Sequence, residues 1–304
     1  MLSRRTLNTL LLTWAGLNVT QNFANGSQVI NKTIPSSHTT IPAIGMGTWI
    51  TFDVNQANKQ QLDHLIAVLH AFFKGGGRMI DSSPMYGFAQ QVLGQILPLV
   101  QGKEQLFSAT KVWTMGQQNG IAQMHESMKL WGLDQIDLMY VHNMLDWQTQ
   151  IKTLNDWKQQ GLIKYTGITT SHGRRHQALI AMLKSTPVDF VQFSYNISDR
   201  EAENYLLPLA QDLGVAVVIN RPFQTGGLFT RVRNQPLPEW SKDIQCENWA
   251  QFFLKFVISH PAVTCAIPAT SQVQHMQQNM QALQGDLPDQ AMRLEMIKYH
   301  ESVT

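Results

Sequence analysis

Short apolar runs alternate with amphipathic segments along most of the chain. In "LDHLIAVLHAFF", apolar residues recur at the spacing of one helical face, and the glycines at 75–77 end the pattern. The apolar runs are continuous, as is typical of strands that are covered on both faces. From "AIGMGTW" onwards, eight such runs are each followed by a helical pattern. Repeated strand–helix units without a change in composition predict one (β/α)8 TIM barrel.

The segment "VINKTIPSSHTTIP", which precedes the first of these runs, predicts a short N-terminal β-hairpin. We therefore expect residues 27–304 to form a single barrel domain with this hairpin at its start. A doubly wound sheet is the alternative, because counting strands does not prove that the sheet closes. No GxGxxG motif follows the first strand, which argues against a doubly wound dinucleotide-binding domain.

Residues 1–26 differ from the rest of the chain. Arg4 and Arg5 precede an apolar run from about Leu7 to Leu17, which is shorter than the ~20 residues needed to span a bilayer. Paired arginines before a short apolar segment resemble a twin-arginine export signal. We predict a periplasmic location on this basis, with no stable membrane span. A cytoplasmic enzyme with a frayed or membrane-surface N-terminus is the alternative.

Composition adds few constraints. Of the 304 residues, 43% are hydrophobic and 14% are charged, and the formal net charge is +2. This is the composition of a globular protein, and without a long basic run we expect no nucleic-acid partner. Cys246 and Cys265 do not form a CxxC pair and cannot build a disulfide framework. We predict no metal site.

Polar side chains stand at the ends of consecutive predicted strands. Asp81 follows the second strand, Lys111 the third and His142 the fourth, and Tyr86 lies just beyond Asp81. In a barrel, the carboxyl ends of the strands meet at one mouth. Alone, each residue has a structural explanation, such as a polar loop, a solvated strand end or a hydrogen-bonded histidine. Their joint placement favours a shared site.

This arrangement resembles the aldo-keto reductase family. The segments that carry the resemblance lie between about residues 41 and 282: "IGMGTW", "IDSSPMYG", "SATKV", "DLMYVHN", "YTGITTS", "VQFSYN" and "AIPATSQVQHMQQNMQA". Members of the family reduce aldehydes or ketones to alcohols with an Asp, Tyr, Lys and His tetrad. The resemblance places that tetrad on Asp81, Tyr86, Lys111 and His142.

The physical chemistry of carbonyl reduction agrees with these assignments. The free phenol of Tyr86 has a pKa near 10, and lowering it by two units takes roughly 2.7 kcal/mol. A lysine ammonium ~4 Å away supplies up to about 4 kcal/mol at an effective dielectric constant of ~20. We therefore expect Lys111 to lower the pKa of Tyr86 and Asp81 to hold Lys111 charged. A neutral His142 would orient the substrate oxygen.

The hydride must come from a cofactor, because no side chain can provide one. The resemblance implies a nicotinamide dinucleotide, with NADP preferred and NAD possible. It assigns Gln192 and the two threonines after the fifth strand to the carboxamide, Asn279 to adenine, and "RPFQTGGL" to the pyrophosphate, where Arg221 could pair with phosphate. The predicted cofactor residues are Gly47, Thr48, Thr169, Thr170, Gln192, Asn220, Arg221, Pro222, Gly227, Leu228, Ala269, Thr270, Ser271, His275 and Asn279.

Two positions depart from the family pattern. Asn220 stands where many members stack a tyrosine on the nicotinamide. The loop after the last strand carries Ala269, Thr270 and Ser271, with His275 beyond, where many members have a Lys or Arg for the 2′-phosphate of NADP. A neutral histidine and hydroxyl groups bind a phosphate less well, so the choice between NADP and NAD stays open.

Substrate choice in such barrels depends on loops at the mouth. The candidate substrate contacts are apolar and favour apolar aldehydes or ketones: Trp49, Met85, Trp113, Met144 and Phe223. We expect a small-molecule carbonyl substrate and a monomer or weak oligomer. One alternative function is a non-catalytic, cofactor-binding subunit that senses redox state. Another is a barrel lyase or isomerase in which Lys111 forms a Schiff base.

Overall fold

The computed structural model describes residues 29–56 and 58–304. The candidate export signal at 1–26 lies outside these residues, so export stays a prediction. Within the part of the chain that the structure describes, no helix is both long enough and apolar enough to cross a membrane.

The first two strands form the predicted N-terminal hairpin. Strands β1 (Asn31–Thr33) and β2 (Thr40–Pro42) pair antiparallel. Buried Ile34 and Ile41 from the hairpin belong to the same apolar cluster as residues inside the barrel. Tyr165, near the start of a barrel strand, donates a hydrogen bond from its hydroxyl to Ser37 Oγ at 2.8 Å. The hairpin therefore covers the amino-terminal end of the barrel, opposite to the strand ends that carry the predicted site.

The remaining eight strands form one parallel sheet in the order of the chain. Parallel bridges join Ile44 to Ala266 and Gly47 to Ala269, and the amide of Gly45 donates to Ala266 O at 2.8 Å, so the first strand also meets the last. This closure confirms the (β/α)8 barrel over the doubly wound alternative. The strands are β3 (Met46–Gly47), β4 (Met79–Asp81), β5 (Phe107–Val112), β6 (Ile136–Val141), β7 (Ile163–Thr169), β8 (Phe190–Ser194), β9 (Ala216–Asn220) and β10 (Val263–Ala266).

Helices pack around the sheet and bury their apolar faces against it. Among the described residues these helices are α1 (Lys59–Lys74), α2 (Ala89–Ile96), α3 (Gln117–Trp131), α4 (Trp147–Gln159), α5 (His176–Ser185), α6 (Leu206–Asp212), α7 (Gly227–Arg231), α8 (Trp249–Ile258), α9 (Val273–Gln281) and α10 (Gln290–Val303). Helix α1 ends before Gly75, as the glycine run predicts.

The segment "REAENYLLPLAQDLG" does not form the single helix that its pattern predicts. A 3-10 turn over Glu201–Asn204 is separated from α6 by Tyr205, whose φ of −144° is not helical. Pro208 explains the break, because a proline ring clashes with the carbonyl group four residues earlier, here that of Asn204. Helix α10 lies outside the eight predicted strand–helix units.

Candidate active site

A buried ion pair joins the ends of two neighbouring strands. Asp81 is the last residue of β4, and Lys111 is the second-last residue of β5. Lys111 Nζ lies 2.5 Å from Asp81 Oδ1 and donates a second hydrogen bond to Ser82 O at 2.7 Å. The other carboxylate oxygen of Asp81 accepts from Gln192 Nε2 at 3.0 Å. Only 1% of Asp81 and none of Lys111 is exposed to solvent.

Burial and pairing act on the two groups in opposite directions. Burial raises the pKa of Asp81, and the Lys111 ammonium and the Gln192 amide oppose that rise. Burial lowers the pKa of Lys111, but Asp81 and Tyr86 outweigh burial and leave it above its ordinary value. The short contact and the donors on both carboxylate oxygens favour the ionised pair.

Tyr86 lies in the loop after β4, beside this ion pair. Lys111 Nζ is 5.0 Å from the centroid of its ring. Asp53 holds the loop, because its Oδ1 accepts from the amide of Phe88 at 2.9 Å. Gly87 allows this approach: its φ is +57°, and an added Cβ would lie 2.1 Å from the same oxygen.

The predicted fall in the pKa of Tyr86 is wrong. Burial raises this pKa above its ordinary value, and the Lys111 charge opposes the rise without overcoming it. Asp81 adds to the rise, because its negative charge disfavours a phenolate. The phenol is therefore fully protonated near neutral pH.

His142 follows β6 directly and faces Tyr86. The two rings meet edge to face with centroids 5.9 Å apart. Burial, helped by the Lys111 charge, lowers the pKa of His142 to about 2, so the ring is neutral, as predicted. Its Nδ1 lies 3.0 Å from Ser83 Oγ. Ser83 Oγ also accepts from the amide of Met85 at 3.4 Å. The hydroxyl can donate its own proton to Nδ1 when the ring proton is on Nε2.

An open cavity of about 520 Å³ extends over Tyr86 and His142 at the carboxyl ends of the strands. A second cavity of about 430 Å³ continues from it and shares Phe223, Phe229, Ala269 and His275 with the first. The predicted cofactor residues that line the first cavity are Gly47, Thr48, Thr169, Thr170, Gln192, Asn220, Arg221, Pro222, Ala269 and His275. Those that line the second are Ala269, Thr270, His275 and Asn279.

A family model, "Aldo/keto reductase family", matches residues 43–295. The chain belongs to the aldo/keto reductase family. It is 28% identical over 260 residues to methylglyoxal reductase YeaE of Escherichia coli, covering 83% of this chain and 89% of that protein. It is 27% identical over 246 residues to an NADH-specific methylglyoxal reductase of the same organism, covering 68% and 72%.

Solved structures of other aldo-keto reductases share the fold of this chain. An aldo/keto reductase from Klebsiella pneumoniae, in complex with NADP and acetate, has a TM-score of 0.72 at 22% identity, covering 89% of this chain and 96% of that one. The aldo-keto reductase AKR2E4 of Bombyx mori, in complex with NADP, has a TM-score of 0.69 at 21% identity, covering 90% and 93%.

Three predicted cofactor residues do not line either cavity. Leu228 is fully buried in the apolar core, and Gly227 lies beside the side chain of Gln224. The neighbouring Gly226, with φ of +87°, lines the first cavity instead. The carbonyl oxygen of Ser271 lies 2.6 Å from His64 Nε2 of α1.

A polar network closes the side of the cavity formed by β7, β8 and β9. Asn220 Nδ2 donates to Thr170 O at 2.9 Å, and its Oδ1 accepts from Ser194 Oγ at 2.7 Å. Thr170 Oγ1 is buried and has no hydrogen-bond partner among the described residues. An unpaired buried hydroxyl costs about 1–3 kcal/mol, so this atom suits a polar ligand such as an amide. The fit of a nicotinamide carboxamide at this position rests on that hydroxyl.

The predicted substrate contacts divide into two groups. Trp49, Met85 and Phe223 line the first cavity. Trp113 does not line it, although its ring lies 6.3 Å from that of His142, and Met144 is buried in the core.

Several lining residues escaped our sequence analysis, although each lies within a few positions of a predicted one: Ile50, Thr51, Asn143, His172, Thr225, Phe229, Ile267 and Pro268. In the part of the chain that the structure describes, no three His, Cys, Asp or Glu side chains cluster closely enough to hold a metal ion.

Proposed function

We propose that this protein is a nicotinamide-dependent oxidoreductase that reduces a small aldehyde or ketone to the alcohol, with Tyr86 as the proton donor. The observation that carries the proposal is the fully buried Asp81–Lys111 ion pair beside a phenol that opens into a cavity. The family membership and the names of the two Escherichia coli relatives support a carbonyl substrate.

Thr169, Thr170 and Gln192 would hold the cofactor's carboxamide, and Arg221 would contact its phosphates. When bound, a nicotinamide dinucleotide supplies the hydride to the carbonyl carbon. The NADP complexes of the structural neighbours favour NADP for this chain. The NADH-specific relative, and the lack of Lys or Arg in "ATSQVQH" after β10, keep NAD as the alternative.

Tyr86 would give its proton to the carbonyl oxygen as negative charge develops there. The phenol is protonated near neutral pH, as a proton donor must be, and the Lys111 charge opposes the rise in its pKa. Proton transfer leaves a phenolate, and Lys111 stabilises that charge. At the 5.0 Å separation of the ammonium from the ring centroid, the attraction is about 3 kcal/mol at an effective dielectric constant of ~20.

His142 would orient the substrate through a hydrogen bond. With Ser83 donating to Nδ1, the neutral ring would carry its proton on Nε2 and donate it in a hydrogen bond to the carbonyl oxygen. The Schiff-base alternative is disfavoured. Lys111 does not line the cavity, its ammonium is held by two oxygens, and its raised pKa keeps it charged, whereas an attacking amine must be neutral.

The proposal is tested by titrating NADPH and NADH against intrinsic fluorescence and then measuring turnover with a panel of aldehydes. Tyr86→Phe should bind the preferred cofactor as the wild type does and lower kcat by at least ~100-fold, because it removes the general acid. Tyr205→Phe, which alters an exposed tyrosine, is the matched control.

Two results would contradict the mechanism in different ways. Unchanged kcat in Tyr86→Phe would remove the tyrosine from the chemistry. A wild-type protein that binds the cofactor tightly but reduces no aldehyde would favour the redox-sensing subunit.

A further inference from the structure

A third cavity adjoins the active site at the ends of β6 and β7. Its volume is about 300 Å³, and Asn143, Thr170, Ser171 and His172 line both this cavity and the active-site cavity. The remaining lining residues are Arg174 and Arg175, which come from the sequence "HGRR" before helix α5. The two cavities are therefore continuous at Asn143, the residue that follows His142.

Cationic side chains dominate this adjoining cavity. Arg174 forms no side-chain hydrogen bond or ion pair with another described residue, and Arg175 donates only to Asn143 O, at 2.9 Å. The guanidinium of Arg221 reaches the same loop, with Nη1 2.7 Å from His172 Nε2.

Among the residues that the structure describes, no acidic side chain lines the cavity to balance these charges. The carboxylate of Asp199 lies near the loop, 3.7 Å from where a Cβ on Gly173 would stand. Its charge interacts with His176, Glu201 and Arg221 rather than with the two cavity arginines. Like charges that share a small cavity repel each other, and an anion there would remove that repulsion.

We propose that Arg174 and Arg175 bind a carboxylate or phosphate group of the carbonyl substrate, so that the enzyme prefers anionic aldehydes or ketones. This inference rests on the proposed function, because the carbonyl group must lie between Tyr86 and His142. The contact of Arg175 with Asn143 O places its guanidinium next to the strand end that carries His142. The planar donors of an arginine match a carboxylate or phosphate in a bidentate manner.

The preference can be measured with two matched pairs of aldehydes. 4-Carboxybenzaldehyde and 4-nitrobenzaldehyde have nearly the same shape, but only the first carries a charge. Glycolaldehyde phosphate and glycolaldehyde form the second pair and separate phosphate from carboxylate as the preferred group. For each pair, the readout is the ratio of kcat/KM for the charged aldehyde to that for the neutral one.

In Arg174→Ala this ratio should fall about tenfold, mainly through KM, as expected for the loss of one charge-assisted contact. Arg174→Lys should retain part of the preference. Raising the salt concentration from ~0.05 M to ~0.5 M should lower the wild-type ratio, because exposed charges are screened. Arg78→Ala is the matched control: it removes an exposed arginine just before β4, at the opposite end of the barrel, and the ratio should keep its wild-type value.

The outcomes separate this inference from the proposed function. A ratio that Arg174→Ala leaves unchanged, or that Arg78→Ala lowers equally, would overturn the anion site while reduction of 4-nitrobenzaldehyde still supports the reductase. If the wild type reduces none of the four aldehydes, the proposed function fails, and the anion site fails with it.

Discussion

Replacing Lys111 with methionine tests the central ion pair most directly. The change removes the ammonium 2.5 Å from Asp81 and keeps a side chain of similar length. Asp81 then remains buried with Gln192 Nε2, at 3.0 Å, as its side-chain donor. Removing one partner of a buried pair costs about 3–5 kcal/mol, because the other charge is left uncompensated. We expect the free energy of unfolding of Lys111→Met to fall by that amount at pH 8.

The chain offers a control pair at nearly the same distance. Lys164 Nζ lies 2.6 Å from Asp137 Oδ1, but 53% of the Lys164 side chain is exposed. Exposed pairs contribute about 0–1 kcal/mol, so Lys164→Met should lower the free energy of unfolding by no more than that. The double variant Asp81→Asn/Lys111→Met should be more stable than Lys111→Met alone, because the orphaned charge is gone.

The pH dependence has a defined sign. Without Lys111, burial raises the folded-state pKa of Asp81 above its unfolded value of about 3.9. The folded variant then binds a proton more readily than the unfolded chain, so stability is lost as pH rises through the folded-state pKa and regained as pH falls. In the wild type, the ion pair makes stability depend on pH in the alkaline range. The raised pKa of Lys111 contributes stability that is present below its unfolded pKa of about 10.4 and lost as pH rises through the folded value.

Urea unfolding at pH 5 and pH 8, followed by the fluorescence of the eight tryptophans, measures these differences. With an m-value of ~3 kcal/mol/M, a loss of about 3–5 kcal/mol lowers the urea midpoint by about 1 M or more. The buried ion pair would not contribute to stability as the geometry indicates if Lys111→Met and Lys164→Met shift the midpoint equally. The same conclusion would follow if Asp81→Asn does not restore stability to Lys111→Met.

Two further predictions concern His142. Because its pKa is lowered to about 2, His142 stays neutral from pH 5 to pH 8. The pH profile of kcat/KM should therefore show no inflection near pH 6.5. His142→Gln should lower kcat without changing the shape of that profile. Ser83→Ala removes the hydroxyl that faces Nδ1 and should lower kcat about tenfold with little change in KM, since a mixture of ring tautomers orients the substrate less well. A wild-type inflection near pH 6.5 that His142→Gln abolishes would refute the prediction of a flat pH profile. An unchanged kcat in Ser83→Ala would refute the prediction for the serine.

The cofactor side of the site was predicted from the resemblance to the family. That resemblance points to Thr169, Gln192 and Asn220, which end three successive strands or lie within them, and all three line the cavity. Leu228 and Ser271 were assigned from motif positions, but Leu228 is buried in the core, and Ser271 does not line either cavity. A motif locates a loop but does not state which of its side chains turns inward, because loop conformation depends on tertiary contacts.

The sequence by itself determined the alternation of strands and helices, and with it the strand ends that carry Asp81, Lys111 and His142. Those features depend on local periodicity and chain order, which neighbouring residues encode. Only the tertiary structure decided that the barrel closes and that the pKa of Tyr86 rises rather than falls. It also brought Arg174 and Arg175 to the residue after His142. Closure, desolvation and the sum of several charges depend on distances between segments far apart in the chain, and those distances exist only once the chain has packed.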